Sequence, residues 1–269
     1  MSINRLKWTF LAMIIMMVGC KQVDENTVEF ETLTENKTVY LTTEEMSPAC
    51  KVSLKLQSAT KANGKRGELI NKTVAERLFN MQDVSVKSAI KRFVENYTQS
   101  YRQTMLPLYN QDRADTTKRA WYEFHYVVTA ETHQGSQKTV VYDATVDYYE
   151  GGAHGTHQQV VMNFEGKTGR LLTLEDIFAE GSEQQLNDIL LNALIANKGV
   201  ASLSELKEKG FLKAVDIYAP DNFIIGEETI TFIYNPSEIA PHTEGATQLI
   251  IPYTALDKIL KNSFSSIIL

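Results

Sequence analysis

Cysteine is nearly absent from this chain: Cys20 and Cys50 are the only two in 269 residues. Two cysteines cannot build a disulfide scaffold. Basic residues do not dominate either. Lys and Arg number 27 against 33 Asp and Glu, a net charge of −6. That balance excludes the basic footprint of a nucleic-acid binder. The chain has no Gly-x-Ser-x-Gly elbow, no His-Glu-x-x-His, no Cys–His pairing and no Walker loop, the short motifs that carry common catalytic chemistry. The acidic pairs Glu44-Glu45 and Glu227-Glu228 are adjacent. In strands they point to opposite faces, which suits a two-carboxylate glycosidase poorly. There is no internal repeat and no low-complexity tract. What remains is an ordinary folded composition, 43% hydrophobic and 22% charged, with length enough for one or two domains and a real core.

The N-terminus is more informative. Arg5 and Lys7 precede a charge-free run from Trp8 to Val18. That run is shorter than the ~20 apolar residues of a membrane-spanning helix and fits the core of a secretory signal. It stops at Val18-Gly19-Cys20, which resembles a bacterial lipobox. The resemblance implies cleavage before Cys20 and a diacylglycerol thioether on its sulfur. Lipid chains added there anchor a protein firmly. The expected location is the cell envelope, with the chain lipid-anchored to the outer membrane and touching it through the lipid alone. Removing residues 1–19 takes away Arg5 and Lys7 and no acid, moving the charge from −6 to −8. Cys50 then has no partner and reads as a small buried hydrophobe.

Residues 20–48 are polar and read as a tether with an irregular or edge segment. From Cys50, Val52, Leu54 and Leu56 alternate with Ser53, Lys55 and Gln57, the period of a half-buried strand. Asn63-Gly64 and Gly67 mark a turn. A short helix is expected over 70–80. A second, capped by Asp83 or Ser85, carries Ile90, Phe93, Val94, Tyr97, Tyr101 and Met105 on one stripe and ends at Pro107. Segments 121–131 and 139–149 alternate strongly around Gly135-Ser136, a hairpin signature. A loop at Gly135–Gln137 puts Phe124, Tyr126, Val128, Tyr142, Ala144 and Val146 on one apolar face and sets His125 opposite Asp147. Helices follow over 181–196 and 203–209, and strands over 223–225, 229–234 and 248–251. A last helical turn covers 254–260. The expected class is α+β, with mixed and antiparallel sheets packed by helices.

Four segments carry a family resemblance: YEGGAHGTH at 149–157, NFEGKTGRLLTLEDIF at 163–178, FIIGEETITFIYNPSEIAP at 223–241 and GATQLIIPYTAL at 245–256. Together, over about 149–262, they resemble the RsiV-like extracytoplasmic domain family. Residues 45–148 resemble the α/β domain that usually precedes it. The implied organisation is a signal peptide over 1–19, a tether over 20–48, an α/β partner domain over 49–148 and the RsiV-like domain over 149–269. The family fold implies a C-terminal half similar to a subdomain of actin-like ATPases, without ATPase activity. Its members include lysozyme-sensing anti-sigma factors, and the domain also accompanies the catalytic domain of some peptidoglycan deacetylases. A cytoplasmic sigma-binding region, a membrane span and a metal-binding catalytic domain have no counterpart in this sequence.

The resemblance therefore implies a non-enzymatic binding module for lysozyme, another cell-wall protein or a peptidoglycan fragment, with no cofactor. A peptidoglycan-acting enzyme, or an accessory subunit of one, is the alternative. The candidate ligand-binding or structural loop comprises Gly151, Gly152, His154, Gly155 and His157, with Asn235, Pro236 and Pro241 on a second rim. His154 and His157 supply two imidazoles where a zinc site needs three or four ligands. A structural turn, with His154 bonding backbone, is the favoured reading, and no metal is expected. Mass spectrometry of detergent-extracted protein tests the anchor. A mature chain starting at diacylglyceryl-Cys20 is expected, and Cys20→Ala should remove both the lipid and membrane retention.

Overall fold

The computed structural model describes residues 25–268, so Cys20 and the signal-like segment lie outside the described residues. In chain order, the strands and helices are β1 (Phe30–Tyr40), β2 (Ala49–Ala59), α1 (Gly64–Phe79), α2 (Val86–Asp112), β3 (Phe124–Gln134), β4 (Thr139–Tyr149), β5 (Thr156–Glu165) and β6 (Leu171–Leu172). Then come α3 (Leu174–Ile177), α4 (Glu183–Asn197), α5 (Leu203–Glu208), β7 (Phe223–Ile225), β8 (Thr229–Tyr234), β9 (Thr247–Pro252), α6 (Tyr253–Leu256) and α7 (Phe264–Ile268). A six-stranded sheet runs in the order β1 to β6, and a three-stranded sheet in the order β7-β8-β9. All pairs are antiparallel except β2 with β3. That parallel pair needs a crossover, which α1 and α2 provide. The fold is mixed α+β. No helix among the described residues is long and apolar enough to cross a membrane.

The first core lies between the sheet and the two helices. Val52, Leu54, Leu56, Val128, Ala130, Tyr142 and Ala144 face Ile70, Val74, Ile90, Val94 and Tyr101. The aromatic stripe of α2 packs on β3: Tyr97 lies 5.1 Å from Tyr126, and Tyr101 lies 5.1 Å from Phe124. Tyr101 also donates to Tyr122 O at 2.8 Å. Cys50 is fully buried in the same core, and burial, aided by Glu150, pushes its thiol up to about 12.

Four expectations are corrected. First, the stretch read as a tether with an irregular or edge segment is less tether than expected, since residues 30–40 form the eleven-residue strand β1, paired along its whole length with β2. It is an edge strand, polar on its open side, with Phe30 and Leu33 packed on the core. Second, α1 begins at Gly64, so the Asn63–Gly67 turn is largely helix. A Cβ on Gly67 would lie 2.8 Å from Asn63 Cβ, 3.1 Å from Thr60 O and 3.4 Å from Ala59 Cβ, so glycine lets the first turn of α1 sit close to the end of β2. Third, α2 continues past Pro107 to Asp112. Proline removes one internal bond, but the last turn is held from outside. Tyr109 packs on Tyr122 at 5.3 Å, and Asp112 accepts from Tyr122 and Lys118, both at 2.7 Å. Fourth, the boundary expected near residue 148 falls inside one sheet. The glycine-rich segment after Tyr149 is a hairpin turn, and the first core includes Phe164 and Leu171. The second core begins at Leu172.

The β3–β4 hairpin has the expected faces with a shifted register. His125 opposes Tyr149, and Val127 opposes Asp147. Gly135 N donates to Thr139 O at 3.1 Å, and Ser136 N to Thr139 Oγ1 at 2.6 Å, which closes the turn later than expected. A slip of two residues preserves both faces, so hydrophobic pattern alone does not distinguish the registers. Asp147 instead meets His157 across the β4–β5 ladder.

Asparagines join the two sheets. β6 covers only the end of β5, leaving backbone groups of Gln159 and Val161 open. Asn235 accepts from Gln159 N at 2.7 Å and donates to Gln159 O at 3.0 Å. Asn222 accepts from Val161 N at 2.8 Å and also donates to Gln159 O, at 2.9 Å. Asn163, 2% exposed, donates to Phe223 O at 2.7 Å and accepts from Ile225 N at 2.9 Å. Val141, Val161 and Ile233 form a small apolar cluster alongside. Asn163→Ala leaves two β7 backbone groups unpaired, at about 1–3 kcal/mol each. Urea unfolding should show that loss, and an unchanged midpoint would contradict the role given to this side chain.

Candidate functional site

The connection from β4 to β5 is shaped by glycine. Gly151 and Gly152 have φ of 82° and 97°, where a side chain is strained. A Cβ on Gly151 would also lie 2.9 Å from Trp121 O, so the loop lies close against the segment before β3. Gly155 has ordinary φ but no room, since its Cβ would lie 2.9 Å from Tyr148 O. Tyr149 OH donates to Gly152 O at 3.0 Å and ties the loop back.

This turn presents an open patch of planar rings. His154 Nδ1 lies 3.2 Å from Gly155 O, a contact in which the nitrogen donates. The His154 ring stacks on His242 at 4.5 Å and 18°. His125 stacks on Tyr149 at 6.0 Å. His157 Nδ1 lies 2.5 Å from Asp147 Oδ1. Trp121, 56% exposed, adjoins Gly151 through its own carbonyl. His154, His157 and His242 are all exposed. Among the described residues, no three His, Cys, Asp or Glu side chains are grouped so as to hold a metal ion.

The two expected rims therefore meet, at a residue outside the candidate set. His242, just after Pro241, touches the glycine loop. Asn235 is engaged with the β5 backbone, and Pro241 packs near Gly210, whose added Cβ would lie 3.1 Å from the proline ring. Leu212 N donates to Ile239 O at 2.8 Å and fixes the loop between them. No spacing rule links His154 to His242, and neighbourhood to the 223–241 motif was the only available signal.

A second feature escaped sequence reading entirely. A groove of about 690 Å³ runs between α3, α4 and the segment 218–221. Phe178 and Leu186 line it, with Tyr218 opposite and Glu175, Glu180, Glu183 and Asp221 around it. Burial and neighbouring Glu238 raise the Tyr218 hydroxyl above its usual range. The groove wall is set by a capping box at α3. Asp176 Oδ2 accepts from Thr173 N at 2.9 Å and Thr173 Oγ1 at 3.0 Å, and Oδ1 accepts from Arg170 at 2.5 Å. Burial works upward on this carboxyl, but these donors outweigh it and hold it below the usual range.

Comparison with known proteins places these features. Residues 175–254 match the model of the DUF3298 family, described as a protein of unknown function. Over 200 residues the chain is 26% identical to the peptidoglycan-N-acetylmuramic acid deacetylase PdaC of Bacillus subtilis (strain 168). The shared stretch is 74% of this chain but only 40% of that relative. A member of the DUF3298 family from Bacteroides fragilis NCTC 9343 has a similar structure, with TM-score 0.82 and 26% identity, over 90% of this chain and 97% of its own. A DUF3298 family protein from Pseudomonas aeruginosa PAO1, 14% identical, shares the fold with TM-score 0.59 over 88% of this chain and 96% of its own.

The capping box gives a pH test. A carboxyl with a lowered folded pKa contributes stability above its unfolded value, about 3.9, and loses it as pH falls through the folded one. Asp176→Asn should therefore lower the thermal midpoint near neutrality. The gap to the wild type should close at strongly acid pH.

Proposed function

We propose that this protein is a non-enzymatic binding module of the bacterial cell envelope, anchored through lipid on Cys20. Its ligand is a lysozyme-like protein or a fragment of the cell wall. The observation that carries this reading is the similarity to a peptidoglycan deacetylase over a stretch that is only 40% of that relative. The exposed rings of Trp121, His154 and His242, with the half-buried Tyr149, support it, because planar rings offer both stacking faces and hydrogen-bonding edges. The RsiV-like resemblance of 149–262 belongs to the same proposal and supplies the lysozyme class as a partner. Acidity favours a cationic protein through steering, an effect that weakens with salt. The activity of the matched relative favours a second reading, a peptidoglycan-acting enzyme or its accessory subunit.

Calorimetry with the purified protein separates these. Saturable binding of a cationic lysozyme at low salt, weakened by added salt, is expected for the protein ligand. Binding of muropeptides, weakened by His154→Ala or Trp121→Ala, is expected for the cell-wall ligand. Silence in both arms defeats the binding proposal. Acetate or glycan release from peptidoglycan by the protein alone would decide for the enzyme.

A further inference from the structure

The six-stranded sheet ends at β1, whose outer edge pairs with no strand among the described residues. Beside that edge runs one face of α2. Lys87, Ile90, Lys91, Val94, Glu95, Thr98 and Arg102 recur there at steps of one, three and four. Two continuous depressions, of about 410 and 590 Å³, follow this line between helix and strand and share Lys37 and Glu95. The floor is aliphatic: Leu33 and Val39 come from β1, and the buried Ile90 and Val94 from α2. From Leu33 to Val39 an extended strand covers about 20 Å. The helix from Lys87 to Arg102 covers about 22 Å. The groove is therefore a channel of even length along the strand edge.

Its charge is opposite to that of the whole chain. Lys37, Lys87, Lys91 and Arg102 line it against only Glu35 and Glu95, in a protein of net charge −6. None of the four cations has an ion-pair partner among the described residues. The edge itself carries Glu31, Glu35 and Lys37 with no proline and no break in its ladder with β2. Charges on an edge discourage pairing with a second copy, since β1 laid antiparallel on itself about Glu35 opposes two carboxylates. They leave the backbone groups open to a strand of complementary charge.

We propose that the β1–α2 groove binds an extended acidic segment of a partner protein by strand addition. The segment's backbone continues the sheet beyond β1. Alternate side chains enter the groove, where the methylenes of Glu cover the aliphatic floor and the carboxylates reach Lys37, Lys87, Lys91 and Arg102. A free anion or a glycan uses the cations but not the strand edge, so the occupant is a polypeptide. The lining of this surface shares no residue with the histidine patch, and it stands independently of the function proposed above.

Fluorescence anisotropy with the full protein and a labelled peptide of about seven alternating Glu and Thr residues tests it. Saturable binding is expected, and the matching Lys-Thr peptide should not bind. Lys87→Glu with Lys91→Glu, both exposed on α2, should weaken binding about tenfold or more while leaving the unfolding midpoint unchanged. An acidic peptide N-methylated at alternate amides keeps every charge and should lose binding, and this arm needs no variant. Equal binding of the methylated peptide would overturn strand addition, and equal binding of the basic peptide would overturn the charge assignment. Hydrogen exchange reads the same edge. Outward β1 amides should exchange fast in the free protein and slow down with peptide. Full protection in the free protein would mean that the chain itself or a second copy already covers the edge, and would overturn the proposal.

Discussion

Every backbone N–H and C=O removed from water needs a partner, and in this protein asparagine side chains meet that need at several places where a ladder stops short. A carboxamide carries one acceptor oxygen and a donor nitrogen, the same pair that a peptide group offers. Asn63 accepts from Glu29 N at 3.0 Å and donates to Glu29 O at 2.8 Å. Asn71 holds Ala59 in the same way, at 2.8 and 2.9 Å. Asn163, Asn222 and Asn235 do so between the two sheets. Five side chains thus stand where short pieces of strand would otherwise be required.

The rest of the molecule follows from that substitution. Asn63 and Asn71 clasp the ends of β1 and β2 to the first helix, so a strand with little apolar content keeps its place at the sheet edge. The other three set the second sheet against β5. Asn235 does one thing more. It fixes the start of the loop that carries His242, and β5 begins just after the glycine turn that carries His154. The histidine stack therefore inherits its geometry from an amide that touches neither ring.

Much of this fold was legible in the sequence, and the reasons for success and failure are physical. The stripe of α2, the faces of the β3–β4 hairpin and the strands of the second sheet all announce themselves through apolar period. β1 does not, because an edge strand is wetted on its outer side and carries Thr, Glu and Lys where a central strand carries Val and Ile. Pro107 was read as a stop because its local effect is unfavourable, whereas Tyr109 and Asp112 hold the following turn through contacts invisible at that range. The glycines after Tyr149 look the same whether they join two domains or turn a hairpin. The histidine patch was half legible: His154 and His157 stand out within their motif, while His242 gains meaning only from contact across 88 residues. Asn63 and Asn235 stood out only as turn or rim residues, and Asn71, Asn163 and Asn222 gave no signal, since a polar residue satisfying backbone leaves no periodic trace.

The joint between the sheets combines a narrow apolar contact, Val141 with Val161 and Ile233, and several directional bonds of 2.7 to 3.0 Å. Apolar surfaces tolerate sliding, but hydrogen bonds of this kind fail within a fraction of an ångström or a few tens of degrees. A small rotation of one sheet on the other strains several of them together. The joint thus resists rotation of the sheets more than its small apolar contact alone would, because several of its bonds must be given up together.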